Sequence, residues 1–469
     1  MAKLSAEQKR FFKAAEEDDA AAKLKDLINE FVNAKNENGD MPLHKASDEK
    51  AMIYLIKIGA DVNAQDGSGN FPLANAAQNG QAAVAKTLIE YGANVNAEDE
   101  NKCTPIHQAA LNGQHEIVKL LIENGATIDV KDKDNETPLS WASEDGHLEI
   151  VKYLIENGAM VNTRENDGNT PLHKASHMGQ LEVVKCLIEN GGMVDTGNND
   201  GFTPLHSSAQ EGKLEIVKYL VENDAKIDAQ DIDGDTPLHV ASQGGKYEIV
   251  KYLIENGATV DMKDRDEQTP LKVATANGHL AIVKYLIDSS AMLDTRSKAG
   301  TTPIHTATVK GYIDILKCLI DHGANVDIGN NQGITALHLN AQLEVVKCLI
   351  ENGAKIDPKD KDDTTPHFLA AKYDHNEVVD YLTKAKKRKA ENEPANTFSD
   401  KDPCVICMEP RNGLYVLLPC FHTSLCEPCC IKVTCKQDVN SLCPSCREPI
   451  TTYKKNVFPK GLCHPWLSY

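Results

Sequence analysis

No stretch of this 469-residue chain approaches the roughly 18 consecutive apolar residues that a membrane-spanning helix needs, and MAKLSAEQKR at its start holds no apolar leader segment. No membrane partner is expected, and the chain reads as cytoplasmic with reduced thiols. Cysteine is almost missing from the first 400 residues, where Cys103, Cys186, Cys318 and Cys348 stand singly. Positive charge is short too. Seven Lys/Arg against four Asp/Glu give +3 over residues 403–469, which leaves −22 of the net −19 on residues 1–402. Such acidity repels phosphate backbones, so the long segment excludes nucleic acid as a partner and favours a basic or neutral protein. A single core is also excluded, because cores stop growing near roughly 250–300 residues.

What the first four-fifths of the chain does have is a period. A proline recurs eight times from Pro72 to Pro303, every step being 33 residues, and a glycine recurs in the same steps from Gly80 to Gly311. In Thr170-Pro171-Leu172-His173 and Thr236-Pro237-Leu238-His239 the threonine can cap a helix whose first turn holds the proline, where no N–H partner is required. The glycine then closes that helix. A second helix is typified by residues 147–155, with Leu148, Val151, Leu154 and Ile155 as its apolar stripe. Each unit is thus a helical hairpin with a protruding turn, stable only when stacked. Period and T-P-L-H signature together resemble the ankyrin repeat.

The expected fold class is mainly α: a solenoid of eleven such units over residues 38–390, capped by a degenerate unit at 1–37 with a charged outer face. Two units, Pro42 to Pro72 and Ala336 to Pro366, span 30 residues and lack the segment with the inter-helix glycine, so their first helix or its turn should be shortened.

Resemblance to ankyrin arrays implies that turn tips and first-helix surfaces bind a protein substrate. Asp134, Asp167, Asp200, Asp233 and Asp266 each stand four residues before a Thr-Pro proline, so stacking would align them on one ridge facing a basic ligand. The competing reading is that Asp is simply a favoured turn residue. Phe202 and Ile232 near consecutive tips, with Trp141 and Met178 on nearby first helices, are the candidate apolar anchors. Trp141 has internal packing as its alternative. Cys186, Cys318 and Cys348 replace the tyrosine of V-K-Y-L-I and read as inert helix residues.

Beyond residue 403 the composition changes. Ten of the 14 cysteines lie here, and eight zinc-type ligands fall into four pairs, Cys404/Cys407, Cys420/His422, Cys426/Cys429 and Cys443/Cys446, with 12, 3 and 13 residues between them. Tetrahedral zinc takes four such ligands, so four pairs imply two Zn2+ ions, with a disulfide framework as the rival reading. Closed four-ligand sites leave no position for water, which makes the ions structural. They would supply the folding free energy that a segment of about 45 residues cannot obtain from its core.

Residues 403–450 resemble a RING finger. The cross-brace of that family implies Cys404, Cys407, Cys426 and Cys429 on one zinc, and Cys420, His422, Cys443 and Cys446 on the other. It also implies an E2 ubiquitin-conjugating enzyme docked on Ile406, Leu442 and Pro444. Arg447, after the last cysteine, matches the arginine that holds the conjugating enzyme and ubiquitin together. The order of elements around Leu418–His422 and Cys443–Ile450 is similar to the RINGs of inhibitor-of-apoptosis and mind bomb proteins. Those dimerise through an apolar tail, so Val457 and Phe458 in the tail 451–469 imply a homodimer.

Between the modules, the basic run Lys384–Lys389 reads either as complementing the dipole of the last helix or as a nuclear import signal, and residues 391–402 as a flexible linker. The expected function is a RING-type ubiquitin ligase whose array recruits a client. The competing function is a non-enzymatic ankyrin scaffold with a structural RING.

Overall fold

The computed structural model describes residues 32–37 and 39–392, which form eleven helical hairpins in series and no strand. The chain divides into two compact units, residues 1–386 and 387–469, and apart from the end of the last helix the described residues belong to the first. Most of the capping unit, the linker from residue 393, the RING and the tail lie outside the described residues.

One unit shows how the sequence builds the rest. Thr137 has extended backbone and its hydroxyl accepts the Ser140 N–H; Pro138 opens the inner helix Pro138–Asp145, and Gly146 ends it at φ 79°. The outer helix Leu148–Glu156 follows directly. Its buried arc is Ile150, Val151 and Leu154, while Leu148 and Ile155 are only half-buried. The stripe read from the sequence is therefore rotated, because the outer helix packs on its own inner helix as well as on the outer helices beside it. Unit by unit these arcs join into one apolar core running from Val32 to Leu382. Both 30-residue units have a shortened inner helix: four residues at Pro42–Lys45, and a single 3-10 turn at Ala336–His338.

Hydrogen bonds between units add register to this apolar stacking. In T-P-L-H the threonine N–H donates to histidine Nδ1, at 3.2 Å in Thr104/His107, 3.1 Å in Thr170/His173 and 3.2 Å in Thr236/His239. With Nδ1 accepting, the ring proton sits on Nε2, which donates across the junction to the carbonyl 29 residues on: Glu136 from His107 at 3.2 Å, Phe202 from His173 at 2.9 Å, Gln268 from His239 at 3.2 Å. A second ladder runs along the loops after the outer helices. There Asn63, Asn96, Asp129, Asn162 and their successors as far as Asp294 accept the N–H of the residue 31 positions later, at 2.8 Å for Asn94 and Thr127 and 3.0 Å for Met160, and Asp327, in the shortened unit, that of Lys355 28 positions later. Each such bond contributes on the order of 1 kcal/mol.

The histidine bridge uses a neutral ring, whose Nδ1 faces both the threonine N–H and, at 2.8 Å in Thr170/His173, the threonine hydroxyl; a proton on Nδ1 would displace the N–H. Burial accordingly pushes His107 and His173 down to about 4, and lowers His44, His206, His239 and His305. A base with a depressed folded pKa stabilises fully above its unfolded value of 6.5 and loses that contribution as pH falls toward 4. Burial raises Glu165 and Asp235 to about 7, and these carboxyls act in the opposite sense over the same window. The histidines outnumber them. Urea unfolding followed by circular dichroism should show the midpoint falling between pH 6.5 and 4. His173→Asn, which keeps a donor and an acceptor but does not titrate, should remove close to one proton from the slope; an unchanged slope would refute the neutral bridge.

Two left-handed glycines separate backbone strain from packing. A Cβ on Gly158 meets nothing, whereas one on Gly146 runs into Gln180 of the next unit, whose amide donates to the Glu144 carbonyl at 3.2 Å. Gly158→Ala should cost about 1 kcal/mol of left-handed strain, and Gly146→Ala about 2 kcal/mol or more, both read as shifts in the unfolding midpoint.

Candidate client-binding surface

At the turn tips, neighbouring units join through their backbones. Asn166 N–H donates to the Asp134 carbonyl at 2.9 Å, Asn199 to Asp167 at 2.9 Å, Ile232 to Asp200 at 2.8 Å, Arg265 to Asp233 at 2.7 Å and Lys298 to Asp266 at 2.9 Å. The five aspartates are all exposed and stand side by side along these tips. Each is followed by a residue at positive φ, 60° at Asn135 and 84° at Gly168 for example, so the same geometry also satisfies the turn-former reading. Among the described residues, Asp266 alone of the five has an ion-pair partner, Lys298 at 3.6 Å.

The four apolar candidates divide. Met178, at the end of its inner helix, and Ile232, at a tip, are exposed at 43% and 44%. Phe202 is half-buried with its ring 5.0 Å from that of His206, and its carbonyl is the one that His173 bridges. Trp141 is half-buried as well: its indole N–H donates to Glu136 Oε2 at 2.8 Å and its ring lies 5.3 Å from His107.

Beside Trp141 the structure assembles a cluster that the pattern reading missed. Lys174 Nζ lies 2.6 Å from Glu136 Oε1, 3.2 Å from Glu144 Oε2 and 3.5 Å from Glu165 Oε2. Burial works against the ammonium, yet the hydrogen bond to Glu136 and the three carboxylates hold Lys174 above lysine's ordinary value. The Glu165 side chain is only 3% exposed, and burial raises it to about 7 even though Lys174 pulls it down. The buried Ser140 hydroxyl also faces this carboxyl and pulls it down. Ser140 is the sequence signal that marks this place. It stands where T-P-L-H has histidine, so no imidazole spans this junction. Lys272 departs at the same position, but its long side chain reaches Thr301 Oγ1 at 2.7 Å and restores the bridge.

Other exposed apolar side chains escaped the sequence reading: Met160, Met193 and Met292 share one register position after the outer helix, Phe368 is exposed in the last unit, and Tyr373 lines a cavity of about 190 Å3 beside the one-turn inner segment Ala336–His338. The thiols of Cys103, Cys186, Cys318 and Cys348 are buried and burial pushes all four up, Cys103 to about 12, so none is a nucleophile near neutral pH. The basic run 384–389 lies inside the final helix Asn376–Asn392, where Lys386 pairs with Asp357. Among the described residues no helix is long and apolar enough to cross a membrane, and no group of three or more His, Cys, Asp or Glu is placed to hold a metal ion.

All eight candidate zinc ligands from Cys404 to Cys446, together with Ile406, Leu442, Pro444, Arg447, Val457 and Phe458, lie outside the described residues. Seven thiols and one imidazole nonetheless form a donor set that suits zinc and disfavours harder cations.

Comparison with known proteins supports both parts of the chain. The family described as ankyrin repeats (3 copies) matches residues 11–99, 73–165, 160–231, 226–297 and 290–360, and the family described as zinc finger, C3HC4 type (RING finger) matches residues 400–453. The crystal structure of the human ASB11 ankyrin repeat domain is similar at 31% identity, with a TM-score of 0.44, over 47% of this chain and 99% of that one. No match is found among curated proteins. With repeats matched over most of its length and a RING finger behind them, the chain belongs to the ankyrin-repeat family and carries a C-terminal RING-type zinc finger.

Proposed function

We propose that this protein is a RING-type E3 ubiquitin ligase, acting in the cytoplasm, whose ankyrin array holds a protein client while its RING docks an E2-ubiquitin thioester. One observation carries the reading: the complete C3HC4 ligand pattern is accompanied by Ile406, Leu442 and Pro444 at the docking positions and by Arg447 directly after the last ligand. Two zinc ions, each closed by four ligands, hold the docking platform in shape and leave no coordination position for substrate. Arg447 would donate to both the conjugating enzyme and ubiquitin, holding the thioester where a client lysine can attack it. That is catalysis by positioning and electrostatics. The attacking nitrogen belongs to the client and the leaving thiol to the conjugating enzyme, so no covalent intermediate forms on this chain. Client and thioester held on one molecule meet at a raised local concentration.

Two measurements test this. In a purified mixture of activating enzyme, conjugating enzyme, ubiquitin and ATP, the protein should ubiquitinate itself, and Ile406→Ala and Arg447→Ala should each lower the rate about tenfold or more. Undiminished activity in both variants would remove these role assignments, and no activity with any of a panel of conjugating enzymes would leave the array as a scaffold. Native mass measurement should find two zinc ions, and chelation should abolish ubiquitination while sparing the helical circular dichroism of the array.

A further inference from the structure

If the RING is a ligase, the point where it joins the array determines which of the chain's own lysines it meets first. Lys384, Lys387 and Lys389 are exposed on the final helix Asn376–Asn392, and among the described residues none of the three has an ion-pair partner, whereas Lys386 between them pairs with Asp357. Lys152, Lys185, Lys218 and Lys347 on the outer helices are held differently. Each lies 2.7–3.0 Å from the glutamate three residues before it, and that hydrogen bond raises all four above lysine's ordinary value. An amine attacks only after losing its proton, so a carboxylate that retains the proton works against the reaction. Packing does not restrain the basic run either. Leu382 is the last buried side chain of its helix among the described residues, so a group attached beyond it displaces no core contact.

We propose that Lys384, Lys387 and Lys389 are ubiquitin acceptor sites of this chain, modified from the thioester that its own RING holds. Chain connectivity sets the reach. Lys389 stands 15 residues before Cys404, the first candidate zinc ligand, and a chain of that length spans at most about 50 Å. Lys119 and Lys152 stand eight and seven outer helices before the final one, roughly 55–80 Å along the stack at about 8–10 Å per helix. The basic run therefore meets the thioester at the higher local concentration. In the transfer the neutral amine nitrogen attacks the thioester carbonyl carbon, and the carbon–sulfur bond breaks. The conjugating enzyme's cysteine leaves as a thiolate and takes up the proton that the nitrogen gives up. An isopeptide bond results, and one positive charge is lost from the run for each ubiquitin attached.

The experiment is self-ubiquitination of the full-length protein with lysine-free ubiquitin, which cannot form chains, followed by mass-spectrometric mapping of the modified lysines. Lys384→Arg/Lys387→Arg/Lys389→Arg, which keeps the charge of the run, should lower product about threefold or more. Lys152→Arg/Lys185→Arg/Lys218→Arg should change it less than about twofold. Discharge of the conjugating enzyme's thioester to free lysine in solution reads the RING without these acceptors, and it should be the same in the parent and both variants. Equal loss of product in the two variants would overturn the assignment, as would modification mapped chiefly to the outer helices or to Lys355 and Lys361. The two readings fail separately: a protein that discharges the thioester to free lysine yet modifies itself elsewhere keeps the ligase and loses these acceptors, and one that discharges nothing loses both.

Discussion

A single hairpin of this array cannot bury its own apolar face, and every other feature of the described residues follows from that constraint. Ile150, Val151 and Leu154 are covered only because units stand on both sides of them. Apolar contact alone is tolerant of sliding, so register falls to directional bonds, and the neutral imidazole of T-P-L-H is the group that spans most junctions. Its Nδ1 closes the helix cap within one unit while its Nε2 binds the next. Folding and stacking are thus the same event at the histidine, which is why its proton inventory matters to the whole solenoid.

Once stacking is fixed in this way, departures from the rule become informative. Lys272 replaces histidine and recovers a bond across the junction through Thr301. Ser140 replaces histidine and does not: the neighbouring space receives Glu165, a buried carboxyl that Lys174 of the following inner helix and the Ser140 hydroxyl pull down against the upward push of burial. Proteins break local rules where function constrains them. Ala74 replaces histidine too, with no polar side chain to span its junction, so the exceptions are chemically unlike: Lys272 restores a register bond, Ala74 has none to offer, and Ser140 brings buried charge to the junction.

Much of this was legible in the residues. Proline and glycine at a 33-residue spacing fixed the hairpin and its boundaries because both act locally, through φ and through a missing Cβ. The 30-residue spacings revealed the shortened inner helices for the same reason. The junction bonds were hidden because they join residues 29 and 31 apart whose proximity exists only after stacking. Trp141 and Phe202 illustrate the same limit: an aromatic in a variable position gives no sign of whether its face meets solvent or a histidine ring. Reading the RING by its ligands was easier, since metal coordination restricts residue type and spacing more tightly than packing does.

Electrostatics then ranks the two acidic surfaces that the stack creates. The tip aspartates are exposed, so their attraction for a basic ligand acts in water at high dielectric and decays over about 8 Å in physiological salt. Exposed charges of this kind act on encounter rates more than on the strength of a bound pose. Beside Lys174, Glu136, Glu144 and Glu165 are partly or wholly withdrawn from water, where charges interact several times more strongly than at the tips. Both acidic surfaces arise from one unit repeated with few exceptions.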